Sequence, residues 1–99
     1  AGSPRENLSI VELGIGSAPN LQYFAPMRRG KGDLITGIDS NAEILDRARD
    51  TIANLRLLEG RGQAEEGQLE QPMRVNLVVG DAERTGLPDS FADAVIATL

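Results

Sequence analysis

With 99 residues, 40% hydrophobic and 25% charged, the sequence describes one soluble globular unit and leaves no room for a second domain. It contains no cysteine and no histidine, which excludes a disulfide framework, a thiol nucleophile and imidazole bases or metal ligands, and suits a cytoplasmic setting. Ten basic against fifteen acidic residues give a net charge of −5, the wrong sign for a surface that neutralises nucleic-acid phosphates. No apolar run approaches the ~18 residues of a membrane span, and no segment has the pattern of a secretory signal.

Residues 1–7 are polar, carry Gly2 and Pro4, and read as a leader. Leu8–Leu13 is mostly apolar, with β-branched Ile10 and Val11, as expected of a strand covered on both faces. It runs through Glu12 into Gly14-Ile15-Gly16, where a buried strand must turn tightly towards a helix and a ligand can approach bare backbone N–H groups. Ser17 is the expected helix cap, with Pro19 in the first turn, Leu21, Phe24 and Ala25 at helical spacing, and Pro26 as the stop. The following segment, 26–33, holds Arg28, Arg29 and Lys31 among glycines and reads as a solvated loop rather than a phosphate site.

Leu34–Ile38 is a second apolar run, closed by Asp39. Ser40-Asn41-Ala42-Glu43 has the spacing of a capping box and predicts a helix from Asn41. Ile44, Ala48, Ile52 and Leu55 form its apolar stripe, with Glu43 and Arg47 a favourable pair on the exposed side. Residues 59–72 lose this apolar content and predict a long acidic loop within one α/β unit. Val75–Val79 makes a third strand, ending at Gly80-Asp81-Ala82. Turn residues at 85–90 then lead into a fourth strand over Phe91–Leu99.

Strands alternating with helices imply right-handed crossovers and a parallel sheet, whose ligands bind outside the carboxyl ends of the strands. Glu12, Asp39 and Asp81 all fall at that edge. Any one alone would read as a solvated turn acid; three in register describe a pocket. An acid after the second strand can accept from both ribose hydroxyls, and one after the third can accept from an adenine amino group. An acid before the glycines can hold a ligand ammonium. The ligand so described is an adenosine carrying an amino acid. A dinucleotide fits less well: the third glycine of Gly-x-Gly-x-x-Gly is replaced by Pro19, which also removes an N–H that should face a pyrophosphate. S-adenosylmethionine has no phosphate, and its positive sulfonium agrees with an acid-lined site.

Four stretches resemble, in order, the motifs of class I S-adenosylmethionine-dependent methyltransferases. They are Glu12-Leu13-Gly14-Ile15-Gly16-Ser17-Ala18, with Ala18 in place of the last glycine; Gly37-Ile38-Asp39-Ser40 onward to Arg49; Gly80-Asp81-Ala82-Glu83; and Leu87-Pro88-Asp89 with Phe91-Ala92-Asp93-Ala94-Val95. The resemblance implies a Rossmann-like α/β fold with strand order 3-2-1-4, truncated after the fourth strand, over residues 8–99. By the same resemblance Glu12, Gly14, Ile15 and Gly16 border the methionine end. Asp39 takes the ribose hydroxyls beside Ser40, Asp81 with the Ala82 backbone reads adenine, and Thr98 approaches the methionine moiety. The ending Thr98-Leu99 looks most like the branch with small-molecule acceptors, including thiols and quinone-type compounds. No catalytic base and no metal ligand is identified, because the acceptor side of such sites lies beyond the fourth strand. The alternative is a non-catalytic, truncated module whose open strand edge would invite self-association.

Overall fold

The computed structural model describes residues 6–59, 73–81 and 92–97. Five strands and two helices follow one another as β1 (Ser9–Leu13), α1 (Leu21–Met27), β2 (Leu34–Asp39), α2 (Ala42–Asn54), β3 (Leu58–Glu59), β4 (Arg74–Val79) and β5 (Ala94–Ala97). Every strand pair is parallel, and the sheet order is β3-β4-β2-β1-β5. Apart from β3, its strands have the order 3-2-1-4 that the resemblance implied. The two-residue β3 is an addition beside β4, and it takes Glu59 out of the expected acidic loop. Residues 1–5, 60–72 and the turn at 85–90 lie outside the described residues.

The register sorts the side chains, because successive residues of a strand face opposite sides of the sheet. Ile10 pairs with Ile35, which pairs with Val75, so these three point to the same face. There they join Leu21 of α1 and Leu45, Ala48 and Ile52 of α2 in the hydrophobic core. Leu45 and Ile52 are 1% and 2% exposed; burying such side chains contributes roughly 1.5–3 kcal/mol each. The stripe of α2 therefore runs through Leu45 rather than Ile44, which is only half-buried. The pair on its outer surface is Asp46–Arg49, at 2.7 Å, rather than Glu43–Arg47. Gly37 explains how the loop after β1 packs so closely: a Cβ there would lie 2.3 Å from the Ile15 side chain.

Both helix starts differ from expectation. Ala18 adopts φ 63, so the chain turns before it coils, and α1 starts at Leu21 with Asn20 rather than Ser17 at its cap position. Pro26 lies inside the last turn of α1 and the helix ends one residue later. At α2 the cap is Asn41, whose Oδ1 accepts from Glu43 N at 3.0 Å and Ile44 N at 3.4 Å. Ser40 stays exposed because the Asn41 N–H is itself drawn to Asp39 Oδ1, at 3.0 Å, which sets a tight turn ahead of the helix. At the other end Arg56 takes the left-handed position usually given to glycine, with φ 57. The Arg56 and Leu57 N–H groups then close on Ala53 and Ile52 carbonyls.

The basic segment before β2 is solvated only in part: Arg29 is exposed, whereas Arg28 turns inward to Asp33. Asp33 is wholly buried and accepts from Arg28 Nε at 2.6 Å, Arg28 Nη2 at 2.8 Å and Leu8 N at 3.0 Å. This fork ties the start of β1 to the start of β2. The same edge is closed on the other side by Asp93, whose carboxylate accepts from Ser9 N while its own N–H donates to Ser9 O.

Candidate functional site

At the opposite edge, the loop Gly14–Pro19 leaves β1 toward α1 and is hydrogen-bonded to the carboxyl end of β2. Gly14 and Gly16 have φ 73 and 58, a left-handed conformation that costs other residues about 1 kcal/mol or more. The Gly14 and Ile15 N–H groups both donate to Ile38 O, at 2.8 and 3.1 Å. The Gly16 N–H donates to Asp39 Oδ2 at 3.0 Å. One carboxylate thus braces the glycine loop through Oδ2 and starts the α2 turn through Oδ1. Thr51 of α2 secures the loop from its far side, donating its hydroxyl to Ser17 O at 2.8 Å.

Glu12 has no exposure to solvent. A carboxylate so placed is costly unless hydrogen-bonded, and Asn20 Nδ2 donates to its Oε2 at 3.2 Å. Asn20 stands where an asparagine commonly caps a helix, yet its side chain makes no cap bond. It turns back across the loop to the end of β1 instead.

The sequence-derived residues are therefore placed as follows. Glu12, Gly14, Gly16 and Asp39 converge on one loop and two adjacent strand ends. The Ile15 side chain is core, 1% exposed, so only its backbone belongs to the loop. Ser40 is exposed beside Asp39, and Asp81 is exposed just past β4, whose last residue pairs with Asp39. Ala82 and Thr98 lie outside the described residues. Two neighbours of this edge escaped the sequence reading. Asn20 was hidden because its contact spans the loop. Val79, 59% exposed at the end of β4, reads in sequence as an ordinary core valine. No group of metal-ligating side chains occurs among the described residues, and none of their helices is long and apolar enough to cross a membrane.

A parallel sheet with a left-handed glycine loop after β1, which lies between β2 and β5, and acids at successive strand ends has the architecture of the Rossmann-like α/β proteins. A family model described as a methyltransferase domain matches residues 11–99, and the chain belongs to that family. No curated protein matches the sequence. Among solved structures, the chain is similar to the YcgJ protein from Bacillus subtilis, with a TM-score of 0.62 and 17% identity over 94% of this chain. At that identity the likeness is one of fold. The chain spans about a third (32%) of that protein's length.

Proposed function

We propose that this chain forms the cofactor-binding half of a methyltransferase that uses S-adenosylmethionine and a small-molecule acceptor. The observation that carries the reading is the placement of Glu12, an acid shut away from water at the end of β1 two residues before the glycine loop. A buried charge acts through a low effective dielectric and favours a cationic ligand over an anionic one. Pro19 points the same way, since it withholds an N–H that a pyrophosphate would use.

The residues present fit this cofactor. Asp39 is half-buried, its carboxylate fixed by Gly16 and Asn41, and a carboxylate has lone pairs enough to accept from ribose hydroxyls as well. Val79 offers an apolar surface between Asp39 and Asp81 on which adenine can rest, with Asp81 toward its edge. Gly14 and Gly16 admit the amino-acid portion near backbone. When bound, the cofactor would supply an electrophilic methyl group for the acceptor's nucleophile. The described residues bind and orient. Net charge of −5 favours a small neutral acceptor over a nucleic acid.

Isothermal titration of the full-length protein with S-adenosylhomocysteine tests the assignment. Binding is expected for the parent, and Asp39→Ala should weaken it by at least ~tenfold, the effect of losing a charge-assisted hydrogen bond. Undiminished affinity in Asp39→Ala would remove Asp39 from the ribose site.

A further inference from the structure

The glycine loop is fastened at two successive residues by side chains from different elements. Asp39, at the end of β2, accepts from the Gly16 N–H at 3.0 Å, and Thr51, in the last turn of α2, donates to the Ser17 carbonyl at 2.8 Å. Gly16 takes φ 58 and, as a glycine, has wide backbone freedom; a fastening on each side narrows it to one conformation. α2 meets the loop again two turns earlier. A Cβ built on Gly16 would lie 3.7 Å from Ile44 Cγ2, an ordinary van der Waals contact, and Ile44 precedes Thr51 by seven residues, which returns to the same face of a helix. Leu45 and Ile52, one position further on, enter the hydrophobic core. One helix thus presents a stripe to the sheet and, beside it, a stripe to the loop.

Thr51 has one hydroxyl hydrogen and two acceptors for it. A threonine inside a helix ordinarily bonds the carbonyl four residues back, here Arg47 O at 3.3 Å, but Ser17 O is closer at 2.8 Å. The shorter contact takes the hydrogen while the loop is in place. If the loop moves off, the hydrogen returns to Arg47 O and no donor is orphaned, while the exposed Ser17 gives its carbonyl to water. The bond therefore biases the loop without locking it. We infer that Thr51 is a positioning residue for the cofactor. It touches no ligand and acts through the Ser17 carbonyl on Gly16, holding the backbone against which the amino-acid portion lies. The inference rests on the S-adenosylmethionine reading of the site.

Two ligands separate this role from a structural one: S-adenosylhomocysteine, and 5′-methylthioadenosine, which keeps the adenosine and the thioether but lacks the amino-acid group. Both are titrated calorimetrically into the full-length parent protein, Thr51→Val and Thr51→Ser. Valine keeps the shape of threonine without a donor, and serine keeps the donor. Thr51→Val should bind S-adenosylhomocysteine about fivefold more weakly, the effect of losing one hydrogen bond, with methylthioadenosine unchanged and Thr51→Ser within about twofold of the parent. Hydrogen exchange of the ligand-free proteins reads the loop itself: the Gly16 amide should exchange several times faster in Thr51→Val, beyond any rise at the Ile35 amide in the sheet. Undiminished S-adenosylhomocysteine affinity in Thr51→Val would overturn the assignment. So would an equal loss for both ligands, a loss that serine does not restore, or Gly16 exchange that matches the parent. A parent protein that binds neither ligand would overturn the cofactor reading, and with it the role of Thr51 in binding, even where the Gly16 amide exchanges faster.

Discussion

Thr36 lies in the middle of β2 with no exposure, and its hydroxyl finds no hydrogen-bond partner among the described residues. Leaving such a group unsatisfied costs about 1–3 kcal/mol, so the isosteric change Thr36→Val should stabilise the protein by about 1 kcal/mol. Urea unfolding of the full-length protein should show a higher midpoint at unchanged slope. Asp33 is the contrasting case, equally buried but satisfied by three donors. Neither state can be read from the sequence. Thr36 looks like any β-branched strand residue, and Asp33, among Arg28, Arg29 and Lys31, looks like one more charge in a wet loop. Its burial depends on Leu8, 25 positions away, arriving beside it.

The loop between β1 and α1 takes left-handed conformations at Gly14, Gly16 and Ala18. Ala18 pays about 1 kcal/mol for its φ, but its methyl is wholly buried, a gain of roughly 0.8 kcal/mol, so alanine can hold this place almost without penalty. The peptide leading into Ala18 is held by Thr51. Replacing that hydroxyl in Thr51→Val should destabilise the protein by about 1 kcal/mol, whereas Thr51→Ser should remain near the parent value, as read by urea unfolding. This loop also marks where sequence reasoning ends. Apolar runs, three of them closed by acids, located four strands, since a strand's burial is written in its own residues; their order followed from the family resemblance. The start of α1 was not so written: Ser17 and Pro19 are good local signals, and the φ of Ala18 overrides them. At α2 the capping residue moved from Ser40 to Asn41 because Asp39 had already engaged the Asn41 N–H. Of the candidate site, the acids and glycines were legible by type and spacing. Asn20 was not, because its partner lies across a turn whose shape the sequence does not state.

The sheet as a unit brings Glu12 and Asp39 to one edge and the Arg28–Asp33 and Ser9–Asp93 closures to the other. Binding energy gathered at the first edge is shared by the whole cooperative fold. A ligand at one hundred times its dissociation constant stabilises the native state by about 2.7 kcal/mol. S-adenosylhomocysteine at that excess should raise the thermal midpoint of the full-length protein by several degrees, while NADH should leave it unmoved; calorimetric scanning distinguishes the two.

The position of β1 between β2 and β5 has a further consequence, in the order of synthesis. Ile10 pairs with Ile35 on one side but with Ala94 on the other, so the strand that carries Glu12 is made early and flanked last. While the nascent chain grows, one margin of β1 waits for a partner more than eighty residues downstream. Parallel pairings over such separations close slowly. The glycine loop and its Asp39 brace, both complete by residue 41, can form well before that margin is covered. On the S-adenosylmethionine reading, a cofactor present during translation meets a half-built sheet and holds it before β5 arrives.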